Sequence, residues 1–251
     1  MKYTETSFRA LVRGIFLGLV QEKEEVSKKA FTMLELVFVI VIVGILSVMI
    51  APNFQGNNLR QAADQVVSHI RYTQHLAMMD NKFSTTDASW FLGRWQIRFF
   101  ENLTFTVVLP PANSYSGVWA YSIYSDSTGY SGLPNMSEMA IDPLDPESYL
   151  SGGYNNTLHV EDKKANKSMR LGEEYGVTNI IFSGGCRSNI RYISFDHLGR
   201  PFNSFPASSP YEIGSPGWHK LLTSACKITM TDGIDSIDIE IEPETGYTHI
   251  L

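Results

Sequence analysis

Cysteine is scarce in this chain of 251 residues, which has only Cys186 and Cys226, and these form no Cys-x-x-Cys pair. His197 and His219 have no ligand spacing with them, so the cysteines do not read as a metal site. Positive charge is scarce too, with 20 Lys and Arg facing 26 Asp and Glu. From Phe31 onward the balance is 14 basic against 22 acidic residues, a net of −8. Phosphate attraction supplies nonspecific nucleic-acid affinity, so bulk charge argues against a nucleic-acid partner. The one dense basic group after Pro52 is Lys163, Lys164, Lys167 and Arg170, and it sits beside the acids Glu161 and Asp162. A phosphate-binding loop is also missing, because Ser183-Gly184-Gly185 is too short and no Gly-Lys-Ser/Thr follows. His69 and His75 stand six residues apart and do not share a helix face. No nucleophile, base and orienting group declare themselves, so neither an enzyme nor a cofactor is expected.

What is abundant is apolar sequence near the amino terminus. Residues 28–36 read KKAFTMLEL and continue as VFVIVIVGILSVMIA up to Pro52. Phe31 to Ala51 is 21 residues, close to the ~20 that a helix needs to cross a bilayer core. The segment reads as a membrane helix, with Lys28 and Lys29 cytoplasmic and everything after Pro52 on the opposite face. It exceeds the ~7 to 15 residues of a signal-peptide core, and no small-x-small cleavage site follows it. Glu35 is the anomaly, since a charged acid deep in a membrane helix costs about 2.5 to 3.5 kcal/mol. Either it has a partner, or it lies near enough the headgroups to snorkel.

Lys-Lys-Ala, then Phe31-Thr32-Met33-Leu34-Glu35, then an apolar helix broken at Pro52 resembles the processing and assembly segment of type IV pilin-like proteins. The resemblance implies that an inner-membrane prepilin peptidase cuts between Ala30 and Phe31 and that Phe31 is N-methylated. Glu35 is then fifth and Pro52 twenty-second in the mature chain, the family positions. Ala30 departs from the family's usual Gly, but it is small enough for the cleavage pocket. In the family the acid is taken to pair with the terminal amine of a neighbouring subunit, here that of Phe31, joining two buried charges that are each costly alone. The resemblance further implies a single-pass protein of the bacterial inner membrane with its carboxy-terminal head in the periplasm. Its implied partners are other pseudopilins or pilins, the inner-membrane platform and a cytoplasmic ATPase.

Residues 1–30 are read as a leader removed at that cut. A start at Val26 would leave Val26-Ser27-Lys28-Lys29-Ala30, a short basic leader, so residues 1–25 are expected to carry no function. Residues 31–52 are the membrane and assembly helix, and 53–81 an amphipathic continuation. In the latter Leu59, Ala62, Ala63, Val66, Val67, Ile70, Gln74 and Ala77 recur at steps of three and four. The helix is expected to end near Asp80, with Asn81 as a left-handed stop. Residues 82–251 are expected to form one β-rich head.

Strand signals lie at Trp95–Phe100, Leu103–Leu109, Val118–Tyr124, Asn179–Phe182, Ile190–Phe195, Cys226–Met230, Ser236–Ile241 and Tyr247–Ile250. Between them, residues 125–171 read as a long polar surface loop, with a short helix after Pro146. The expected fold is α+β and pilin-like: one helix of ~50 residues, kinked at Pro52, packed on an antiparallel sheet.

ISFDHLGRPF at 193–202, then KITMTD and DIEIEPETGYTHI, resembles the closing strands of H-type minor pseudopilins of type II secretion and related minor pilins. Gly199 and Gly246 are expected to supply turn dihedrals, and Asp196 to bond its own turn backbone. In an exported domain the two cysteines favour one disulfide, the alternatives being two buried thiols or metal ligands. Asp232, Asp235, Asp238, Glu240, Glu242 and Glu244 form an acidic cluster without a base among them. Calcium could bind there, but strand alternation with acids outward explains the same residues, and no metal is assigned. The functional expectation is a minor pseudopilin of a type II secretion filament. The alternative is a minor pilin of a type IV pilus or competence system, serving DNA uptake or adhesion.

Overall fold

The computed structural model describes residues 32–50, 58–101, 105–106, 114–115, 119–127, 129–153, 157–158, 162–203 and 221–251. The chain divides into two compact units, Met1–Asn53 and Phe54–Leu251.

In the first unit, helix α1 spans Met33–Ile50 and is apolar all round. Its start is set by Thr32, whose Oγ1 accepts from the Glu35 amide at 3.2 Å while its carbonyl accepts from Leu36. That satisfies one of the amides a helix leaves open at its first turn. Every side chain from Thr32 to Leu46 is exposed.

The second unit begins with helix α2, Asn58–Met79, whose apolar stripe buries Ala62, Ala63, Val66, Val67, Ile70 and Ala77. Each fully buried Val or Ile of that stripe contributes about 1.5–3 kcal/mol relative to exposure. Thr73 joins the stripe because its hydroxyl donates to the His69 carbonyl one turn back, at 2.7 Å, and so enters the core satisfied. The helix ends without a left-handed residue at Asn81; instead the Asn81 carboxamide accepts from the Phe83 amide.

Among the described residues ten strands follow: β1 Trp95–Phe100, β2 Phe105–Thr106, β3 Ser114–Tyr115, β4 Ala120–Ser125, β5 Asn179–Gly184, β6 Tyr192–Phe195, β7 Pro201–Phe202, β8 Cys226–Thr231, β9 Ser236–Ile241 and β10 Thr248–Ile250. They make two four-stranded antiparallel sheets, ordered β4-β1-β6-β7 and β10-β9-β8-β5, plus the β2-β3 ribbon. Helix α2 packs on both sheets, with most of its strand contacts on β1, β6, β9 and β10. The shared core holds Ile97 and Phe99 from β1, Tyr121 and Ile123 from β4, Ile193 and Phe195 from β6, and Ile228, Ile239 and Ile241 from the second sheet.

The architecture corrects the pilin-like expectation. The fold is α+β, but among the described residues no single kinked helix runs from the apolar segment into the head. Instead α1 and α2 are separate helices belonging to separate units. Among the described residues no helix is long and apolar enough to cross a membrane. The 18 residues of α1 reach ~27 Å at ~1.5 Å each, short of the ~30 Å hydrocarbon core. Helical period appears in α2 alone; α1 is apolar all round, so nothing in the pattern required one face to continue into the next helix. Strand signals likewise say nothing about partners, and here they divide between two sheets.

The stretch after β4 is also different from a loose surface loop. It pairs along the free edge of β4 through single bridges, Ser122 to Ser151 and Tyr124 to Met139. Leu150, Met169 and Leu171 enter the main core, while Met139, Leu158 and Ala165 cover Phe100 and Tyr124 on the far side of β1 and β4. No helix follows Pro146, where Asp145 takes the Glu147 amide and the Ser148 hydroxyl into a turn. The short helix α3 lies later, at Leu171–Tyr175, and ends on Gly176 at φ 74°.

Candidate functional site

The residues expected to carry processing and assembly fall at the edge of what is described. Ala30, Phe31 and Pro52, with Lys28 and Lys29, lie outside the described residues. Glu35 is described, and it occupies the first turn of α1, three residues after the capping Thr32. A carboxylate there faces the open amides of the helix start, which favour it by about 0.3–1 kcal/mol. The Thr-x-x-Glu spacing is a capping-box signature, and it is legible in the sequence at Thr32 and Glu35.

In the second unit, the two turns singled out near the carboxy terminus meet each other. Asp196 is buried, and its carboxylate accepts from the amides of Leu198 and Arg200 while pairing with the Arg200 guanidinium at 2.7 Å. The Gln74 carboxamide of α2 then donates to the Gly199 carbonyl at 2.8 Å and to the Thr245 carbonyl at 2.7 Å. Gly246 sits under this knot at φ 65°, where an added Cβ would come within 2.6 Å of Gln74 Nε2 and the Gly199 oxygen. Glycine is thus required twice over, by dihedral and by space. Gln74, expected as part of an apolar stripe, is in fact the hydrogen-bonding post of both turns.

A second polar hub lies higher on α2. Gln65 donates to the Tyr121 hydroxyl at 3.0 Å and the Ser168 carbonyl at 2.7 Å, and accepts from Tyr175. His69 Nδ1 lies 2.7 Å from the same Tyr121 hydroxyl. Burial lowers the His69 pKa and raises that of Tyr121, so both groups are held neutral. The hub ties α2 to β4 and α3. His75, by contrast, has only a tilted ring contact with Tyr72.

The remaining candidates resolve one by one. Cys186 and Cys226 are bridged, with Cα atoms 4.7 Å apart. Gly184 and Gly185 let the end of β5 approach the backbone of Ser224 and Ala225 and cradle nothing else. Among the basic group, Arg170 is buried, donating to the Gly152 carbonyl and pairing with Glu173. Lys163 and Lys164 line an open cleft together with Asp145 and Glu147, so their charge is locally opposed. His219 lies outside the described residues.

The acids are sorted by the β8–β9 pairing. Asp232 accepts the amides of Ile234 and Asp235 at the hairpin tip. Asp238 pairs with Lys227 at 2.8 Å and accepts from Thr229, which lowers its pKa. Glu244 takes a turn position at φ 60°. Glu240 and Glu242 face His249, a residue that the cluster seen in sequence did not include. The missing signal was cross-strand register, which counts back through the Gly246 turn.

No family profile, curated protein or solved structure matches the chain.

Proposed function

We propose that this chain is a minor pseudopilin, a non-catalytic structural subunit of a periplasmic filament serving type II protein export. Its apolar amino-terminal segment anchors it at the bacterial inner membrane until a cytoplasmic ATPase and membrane platform draw it into the filament. The observation that carries the reading is the sequence Lys28-Lys29-Ala30-Phe31-Thr32-Met33-Leu34-Glu35. It places a cleavage-type junction directly before an acid-bearing apolar helix whose described side chains are all exposed. Exposed apolar surface is unfavourable in water by about 25 cal/mol per Å². Such a helix therefore needs cover, either by lipid or by like helices of neighbouring subunits.

Capping of α1 by Thr32 supports the same reading, because it holds Glu35 at the helix start, close to the expected new terminus at Phe31. The second unit is read as supplying contacts, since the Gln65 and Gln74 hubs tie α2 to the sheets and turns around it. Export is preferred to DNA uptake because Arg170, the last member of the basic group, is turned inward.

Mass analysis of the membrane-extracted protein tests the proposal. A chain beginning at N-methylated Phe31 is expected, and a mature terminus at Met1 or Val26 would overturn it. Glu35→Ala is expected to remain membrane-bound while reducing crosslinks between neighbouring subunits. Unchanged crosslinking would mean that the first-turn position alone accommodates the carboxylate.

A further inference from the structure

On the outward face of the β8-β9-β10 sheet, three donor side chains converge, one from β9, one from the residue just past its end and one from β10. The antiparallel register sets His249 of β10 directly opposite Glu240 of β9. Glu242, two residues further on, returns to the same face by strand alternation. One ligand atom from each of Glu240, Glu242 and His249 lies within 4.8 Å of the other two. All three side chains are half-buried, open enough for an ion to reach them.

Among the described residues nothing else on this face satisfies them. His249 Nε2 is 4.0 Å from Glu240 Oε1, beyond hydrogen-bonding distance, and its Nδ1 is buried with no hydrogen-bond partner. Lys227 stands opposite Glu240 on β8, but its ammonium is held by Asp238 at 2.8 Å. Arg71 of α2 is committed to the Thr248 carbonyl at 2.6 Å and to the Tyr247 ring. Among the described residues no Lys or Arg pairs with Glu240 or Glu242. Two like charges on one strand face repel each other, and the imidazole beside them makes no hydrogen bond within the described residues. Tyr247 stacks on the imidazole at 5.3 Å and 21°, fixing the ring plane toward the carboxylates.

We infer that Glu240, Glu242 and His249 form a binding site for a divalent transition metal of the zinc class. One imidazole nitrogen with two carboxylates is a donor set that suits Zn²⁺, whereas Ca²⁺ and Mg²⁺ take oxygen alone. Ligand atoms about 2.0–2.2 Å from a common ion lie about 3.3–3.6 Å apart, so the present spacing closes with side-chain shifts of about 1 Å. The ion fastens β10, a short edge strand, to β9, and leaves a fourth position for water.

Metal titration of the untagged full chain in detergent, after chelator treatment, tests the assignment. One Zn²⁺ per chain is expected, and Co²⁺ substitution is expected to give the visible absorption of a nitrogen and oxygen site. His249→Ala and the double variant Glu240→Gln/Glu242→Gln are each expected to abolish that absorption. Tyr247→Leu is expected to weaken binding by about tenfold, and Asp235→Asn to leave it unchanged. Circular dichroism in chelator checks that each variant keeps the fold, and His249→Gln replaces His249→Ala if that variant does not. Undiminished zinc binding in the folded His249 variant would overturn the site, as would the absence of stoichiometric binding. Preferential Ca²⁺ binding independent of His249 would overturn it as well.

Discussion

His69 links protonation to the anchoring of α2. Its Nδ1 faces the Tyr121 hydroxyl at 2.7 Å, and Gln65 donates to that hydroxyl from the same helix. Tyr121 can therefore donate to a neutral imidazole while accepting from Gln65. Burial is the larger influence on His69 and lowers its pKa below the ordinary value of 6.5, with the Asp142 carboxylate opposing. The unfolded chain then binds more protons than the folded one below about 6.5, so this contribution to stability is intact above that pH and is lost on acidification. Thermal unfolding followed from pH about 8 to about 5 is expected to show a falling midpoint below about 6.5. His69→Gln, which keeps an acceptor but does not titrate there, is expected to flatten that part of the curve.

At the scale of elements, the second sheet is stapled at one end. Cys226 opens β8 opposite Gly184, and Cys186 lies just beyond the end of β5, so the bridge closes the end of their six-residue ladder. The cysteines are separated by 40 residues, which corresponds to about 3–4 kcal/mol in the chain-entropy account. Reduction is expected to lower the unfolding free energy of the wild-type chain by that amount in denaturant titrations, whereas a Cys186→Ser/Cys226→Ser variant should not respond to reductant. The β9 segment shows how far strand character was legible. Ile239 and Ile241 are buried on the core side, and Asp238, Glu240 and Glu242 alternate outward as their spacing implied. Their partner on the next strand was not legible, because register depends on where the turn at Gly246 closes.

For the whole molecule, charge sets what the surface can attract. The net of −6 leaves little long-range pull on phosphate. Of the one basic group, Arg170 is internal and holds the Gly152 carbonyl at 3.1 Å. Mobility-shift assays of the full chain at low salt are expected to show weak binding that Lys163→Gln/Lys164→Gln/Lys167→Gln does not change. Arg170→Met is expected instead to destabilise the protein by about 1–3 kcal/mol, because a buried carbonyl loses its donor. Tight DNA binding lost in the triple lysine variant would favour uptake over export.

Local pattern by itself determined the apolar amino-terminal segment, the buried stripe of α2, the strands Trp95–Phe100 and Ser236–Ile241 and the strong turns around Gly199 and Gly246. Each rests on the period of one segment or the dihedral of one residue, which chain neighbours dictate. Tertiary structure alone decided that the strands form two sheets, that α1 and α2 belong to different units, and that the stretch after β4 supplies Leu150 and Met169 to the core. It also brought Gly199 and Thr245 to the same Gln74 and His249 to Glu240 and Glu242. Gln74 lies more than a hundred residues from either carbonyl it meets. At that separation, which face meets which is set by the summed packing of the chain rather than by the period of either segment.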